Sequence, residues 1–109
     1  MGHGKTLATG GADWTLRLWN LAEQTPPTIL KSHRGALSCL AYSSEGAILS
    51  TGSSDETVKL WEGPTGKERT TLRGHRSGIS AIAFSPDDRT LASAGMDDAV
   101  RLWAVTRAK

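Results

Sequence analysis

The chain has 109 residues, 38% of them hydrophobic and 22% charged, a balance that fits a folded globular protein and excludes a disordered one. Its 13 basic and 11 acidic residues are scattered, so a formal net charge of +2 builds no basic stripe of the kind nucleic acid requires. No apolar run approaches the roughly 20 residues of a membrane-spanning helix, no signal-peptide pattern opens the chain, and Cys39 as the single cysteine excludes an intrachain disulfide; the expected address is cytoplasmic.

Residues 1–5 are short and glycine-rich. Residues 7–9 then predict a strand, 10–13 a turn, and 15–19 alternate polar and apolar side chains as a half-buried strand does. Pro26 and Pro27 make 20–27 a loop and rule out a helix there. A short strand follows over 28–31. The next third predicts strands over 37–42, 48–51 and 57–61, with turns over 43–46 and at Asp55. Gly63, Pro64 and Gly66 place a loop within 62–67, and 69–72 is another strand. The last third gives strands over 79–84, 90–93 and 99–103, a turn over 85–88, and a tail over 104–109. Ten short strands and no helical spacing indicate an all-β fold.

The order of these elements repeats. Residues 33–61 return as 75–103 in the same register, and the back half of the unit appears earlier as 5–19. Trp19, Trp61 and Trp103 stand 42 residues apart, as do Asp13, Asp55 and Asp97, and as do Thr9, Thr51 and Ser93; His33 and His75 keep the same step. A fixed period in this range is the signature of a repeat architecture and outranks local signals.

The units resemble WD40 repeats, whose period and G-H…W-D pattern fall on these residues. Gly74-His75 matches the G-H pair, Ser85-Pro86-Asp87 the turn after the inner strand, 91–93 the second strand, Asp97 the tight-turn aspartate, and Leu102-Trp103 the end of the third strand. The departures are Ser32 in place of the glycine of G-H, and Asn20, Glu62 and Ala104 where the aspartate of W-D would stand. The resemblance implies β-propeller blades, each a four-stranded antiparallel sheet with strands a to d. On that pattern, 1–31 supply a partial first blade (b-c-d), 32–73 a complete second blade, and 74–109 a third blade lacking strand d. Two and a half units cannot close a ring of about four to eight blades. Three readings are implied: the C-terminal part of a larger propeller serving as a protein–protein interaction scaffold, a self-assembling module whose copies complete a ring, or a regulatory domain fragment of a larger multidomain protein. Protein partners are expected, copies of the same chain among them, with no nucleic acid, membrane or small-molecule substrate.

His75, Ser93 and Asp97, echoed by His33, Thr51 and Asp55, have the residue types of a hydrolase triad. Tandem duplication with Ser and Thr interchanged speaks against catalysis, and no catalytic residue is expected. The resemblance instead implies a structural hydrogen-bond network in each blade: His33, Thr51, Asp55 and Trp61, then His75, Ser93, Asp97 and Trp103. Thr9, Asp13 and Trp19 form a version without histidine, which makes the first blade the loosest. Gly4-Lys5-Thr6 lacks the upstream glycine and the helix of a phosphate-binding loop. His3, His33, Cys39 and His75 lack zinc-ligand spacing, and Cys39 reads as a small core filler; no metal or cofactor is expected. By the resemblance, Trp14 sits in an exposed turn, and with Arg34, Arg76 and Met96 it forms a mixed basic and apolar rim that is the candidate partner-binding face.

Overall fold

The computed structural model describes residues 6–20, 26–31, 33–43, 48–62 and 65–105; the glycine-rich start, Ser32, the tail beyond 105 and parts of the loops expected at 20–27, 43–46 and 62–67 lie outside them. Ten strands appear in chain order: β1 (Thr6–Gly10), β2 (Leu16–Asn20), β3 (Thr28–Leu30), β4 (Leu37–Tyr42), β5 (Ile48–Ser53), β6 (Val58–Glu62), β7 (Glu68–Leu72), β8 (Ile79–Phe84), β9 (Thr90–Gly95) and β10 (Val100–Ala104). They form three antiparallel sheets, ordered β1-β2-β3, β4-β5-β6-β7 and β8-β9-β10. Several strands outrun the sequence expectation by a residue or two, β5 and β9 among them. In each of these the hairpin that follows is tight enough for the ladder to continue up to it: the Ser53 amide still donates to the Thr57 carbonyl at 3.2 Å.

The sheets stack face to face, with β4 beside β1 on one side and beside β8 on the other. Side chains alternate along each strand, so each sheet has two sets to bury. In the middle sheet, Leu49 and Trp61 join Leu16 and Leu18 of the first sheet, with Leu37, Leu40 and Tyr42 around them. The opposite set, Ile48, Val58 and Leu60, joins Ile79 and Leu91 of the last sheet, flanked by Cys39, Phe84 and Trp103. Two cores therefore separate three sheets. Cys39 is a free thiol packed against the second of these cores, and burial raises its pKa.

Glycines leave room for side chains of the neighbouring sheet. A Cβ on Gly10 would lie 2.8 Å from Leu37 Cβ and Cδ2, and one on Gly52 would lie 2.7 Å from Ile79 Cγ2 and Cys39 Sγ. Gly10 and Gly52 are one repeat apart, as are Leu37 and Ile79, so the same intrusion occurs at both junctions. The third member of the series is Ala94, on a face that no described residue covers. Adding a methyl group to a close-packed junction forces neighbouring side chains off their rotamers. Gly52→Ala is therefore expected to destabilise the fold by about 1–3 kcal/mol, while Ala94→Gly costs less than about 1 kcal/mol; urea unfolding of the two variants separates these values.

Candidate interaction surface

The hairpins joining the second and third strands of the four-stranded scheme all close in the same way. The Glu56 amide donates to the Ser53 carbonyl at 3.2 Å, Trp14 does so to Gly11 at 3.1 Å, and Asp98 to Gly95 at 3.3 Å. Each turn ends on a left-handed residue: Trp14 at φ 72°, Glu56 at φ 76° and Asp98 at φ 63°. Hairpins of this kind favour glycine there, because a Cβ in this region crowds the backbone at a cost of about 1–2 kcal/mol. The aspartate just before holds the turn. Asp55 accepts from the Thr57 amide at 2.9 Å and its hydroxyl at 2.6 Å. Asp13 accepts from the Thr15 amide and hydroxyl at 3.2 and 2.8 Å, and Asp97 from the Ala99 amide at 3.3 Å.

Asp55 and Asp97 also reach the loop that enters the first strand of their own sheet, β4 and β8 respectively. In the middle sheet the bonds run in one chain. Trp61 Nε1 donates to Thr51 Oγ1 at 3.0 Å, that hydroxyl lies 2.6 Å from His33 Nε2, and His33 Nδ1 lies 2.9 Å from Asp55 Oδ2. A neutral imidazole protonated on Nδ1 satisfies every member: the Thr51 hydroxyl donates to Nε2, and Nδ1–H donates to the carboxylate. In the last sheet, Trp103 donates to Ser93 at 2.8 Å, Ser93 lies 2.7 Å from His75 Nε2, and His75 Nδ1 lies 3.4 Å from Asp97. The Arg34 and Arg76 amides donate to Asp55 and Asp97 at 2.9 and 3.0 Å. In the first sheet Trp19 donates to Thr9 at 2.9 Å, but the pair is exposed, and Asp13 pairs instead with Arg17 at 3.1 Å.

Electrostatics follow the bonding. Burial alone would raise the Asp55 carboxyl, but the bonds from Thr57, Arg34 and His33 together hold it far below the ordinary carboxylate range. Burial lowers His33, which favours the neutral ring, against the pull of Asp55. The Arg76 amide leads the causes that lower Asp97, and the Thr15 hydroxyl those that lower Asp13. Although the bond polarity matches a hydrolytic triad, Thr51 and Ser93 are buried and each already accepts from an indole. A nucleophile needs an exposed oxygen facing a substrate carbonyl; these hydroxyls face the interior.

Trp14, Arg34, Arg76 and Met96 are all exposed, and all four lie in the turns and loops joined by these aspartates, at one end of the sheets. The Met96 amide donates to the Gly78 carbonyl at 2.9 Å, which ties its turn to the entering loop. Beside this end, two clefts occur one repeat apart. Asp13, Trp14, Thr15, Arg17, Ile29, Lys31 and His33 line one of about 340 Å³. Arg34, Asp55, Thr57, Lys59 and Arg73 line one of about 360 Å³. Asp13, Thr15, Arg17 and Lys31 of the first correspond in repeat position to Asp55, Thr57, Lys59 and Arg73 of the second. The first adds an indole and an isoleucine, and the second stays polar. Lys59 is buried and donates at 2.9 Å to both Glu68 and Thr71. Sequence reasoning missed the clefts and the buried lysine, although the step from Arg17 to Lys59 and from Lys31 to Arg73 was there to be read.

A family model described as "WD domain, G-beta repeat" (WD40) matches residues 2–20, 24–62 and 66–104. The chain belongs to the WD40 family. Its three sheets, without a helix among the described residues, are blades of a partial WD40 β-propeller. The second match spans β3 of the first blade and β4 to β6 of the middle one, and the third spans β7 of the middle blade and β8 to β10 of the last, so each of these two repeats bridges two blades. WD40 domains generally mediate protein–protein contacts and serve as non-catalytic scaffolds.

Thr51→Val keeps the shape of the side chain but leaves the Trp61 N–H and the His33 Nε2 buried without a partner, an expected loss of about 2–4 kcal/mol. Thr9→Val, where Trp19 can turn to water, should cost less than about 1 kcal/mol. Denaturant midpoints at an unchanged m-value check the pair.

Proposed function

We propose that this chain is a non-catalytic scaffold for protein–protein contact, a set of WD40 propeller blades that receives its partner on the loop end carrying Trp14, Arg34, Arg76 and Met96. The observation that carries the reading is Trp14. A bulky aromatic residue occupies a left-handed turn position, half exposed, where glycine or asparagine would be less strained. Glu56 and Asp98 hold the same left-handed position in the other blades, so what sets Trp14 apart is a large apolar side chain presented to solvent there, which supports a residue kept for what it touches. The adjoining cleft supports the same conclusion: Trp14 and Ile29 offer apolar contact, while Arg17 and Lys31 supply positive charge. A segment with an aromatic or aliphatic anchor flanked by acidic residues has the chemistry to fill it.

Selection from a displayed random-peptide library tests this. The sequences enriched on the wild-type chain should converge on an apolar anchor next to Asp or Glu, and Trp14→Asn should lose them by at least tenfold. The same variant should be as stable as the wild type or more so, by up to about 1 kcal/mol, because asparagine tolerates the left-handed conformation better. Peptides that bind both forms equally would contradict the reading.

A further inference from the structure

Repeat-equivalent residues meet different fates in the three blades. Leu16, Val58 and Val100 occupy the same position, with exposures of 1%, 0% and 70%. Leu18, Leu60 and Leu102 give 8%, 6% and 72%. On the other face, Leu7, Leu49 and Leu91 give 50%, 0% and 0%. The residue type is kept while the covering neighbour is not. Both uncovered faces therefore retain the side chains that the two internal junctions bury.

The two faces also match each other. On the last blade, cross-strand pairing aligns Ala81, Ala94 and Val100 in one row and Ala83, Ala92 and Leu102 in the next, with no charge in either. On the first blade, Leu7 pairs with Trp19, and Thr9 with Arg17, which pairs in turn with Ile29. Leu7, Thr9 and Trp19 are the counterparts of Leu49, Thr51 and Trp61, which the middle blade turns towards the first. A face like the last blade's is thus covered, inside this chain, by a face like the first blade's. The remaining position agrees. Gly10 and Gly52 make room for Leu37 and Ile79 on the innermost strand of the following blade. The first blade is a three-stranded sheet whose innermost strand, β1, is the counterpart of β5, so among the described residues nothing occupies the Leu37 position. Ala94, which stands where those glycines stand, meets no intruder when the first blade is the one that docks.

We infer that the uncovered face of the last blade, centred on Val100 and Leu102, binds the uncovered face of the first blade, centred on Leu7 and Trp19, of a second copy of this chain. The contact is heterologous, and such contacts either close into a ring or run on as a filament. Two copies bring six blades, within the range of about four to eight found in propellers, and three copies overshoot it. A closed dimer is the product. The inference rests on the propeller reading of the fold but not on the loop end, so Trp14→Asn leaves the assembly intact even where it abolishes peptide binding.

Light scattering across a dilution series of the full 109-residue chain tests it, with two variants at side chains that are already exposed in the single chain. The wild type should show twice the monomer mass and dissociate on dilution. Leu7→Asp and Leu102→Asp should each run as folded monomers, judged by the near-ultraviolet dichroism of their tryptophans. Mixed in equal amounts they should form an open dimer, at higher concentration than the wild type needs, through one junction: the intact last face of Leu7→Asp on the intact first face of Leu102→Asp, the second junction being blocked by both aspartates. A wild-type chain that stays monomeric up to about 100 µM overturns the inference, and assigns the two faces to other blades or another protein. So does a dimer that survives both substitutions, or a mixture that does not pair.

Discussion

A β-sheet has two faces, and each face lined with apolar side chains, as both are in these sheets, needs something to cover it. Everything in this chain follows from that need. The middle blade satisfies it completely: Leu49 and Trp61 go one way, Ile48, Val58 and Leu60 the other. The flanking blades satisfy half of it. The glycines at the junctions and the packing of Cys39, on β4, against the core shared with the last blade follow from how closely the middle blade is held. Burial also decides how the hydrogen-bond chain behaves. Trp61, Thr51, His33 and Asp55 form the same bonds that the first blade attempts at Trp19 and Thr9, but only a covered face keeps water from competing for them.

The bond chain has a second effect at the end of the sheets. The aspartate that accepts from histidine also accepts from the amide of the residue after it and from its own turn, so entering loop and hairpin are pinned to one carboxylate. A turn held this firmly tolerates a poorly suited residue at its left-handed position. Trp14, Glu56 and Asp98 occupy it in the three blades, and the side chain there is free to vary in character while the backbone stays fixed. Rigid presentation of variable side chains is the physical basis of a binding scaffold.

Much of this was legible in the sequence because the repeat puts the same residue in the same environment more than once. The step of 42 residues identified the ten strands, the family, and the His, Ser/Thr, Asp and Trp that the fold brings into hydrogen-bonding distance. The same regularity hid what differs between copies. Nothing in the letters separates Leu60 from Leu102; one is buried and the other exposed because a neighbouring blade is present or absent. The left-handed conformation of Trp14 was hidden as well, since tryptophan is a poor signal for that region of backbone space. Lys59 reads as an outward-facing strand lysine until Glu68 and Thr71 are placed beside it.

The claim on which the rest depends is that face coverage, and not strand pairing within a blade, sets local stability. Amide hydrogen exchange, followed residue by residue on the chain at a dilution where it is monomeric, tests this most directly. The slowest exchange is expected in β5 and β6, whose two faces are both covered, with β2 and β9 opening at a lower free energy although each of them is also paired on both sides. Equal protection in all three blades, or slower exchange in either outer blade than in the middle one, would contradict it.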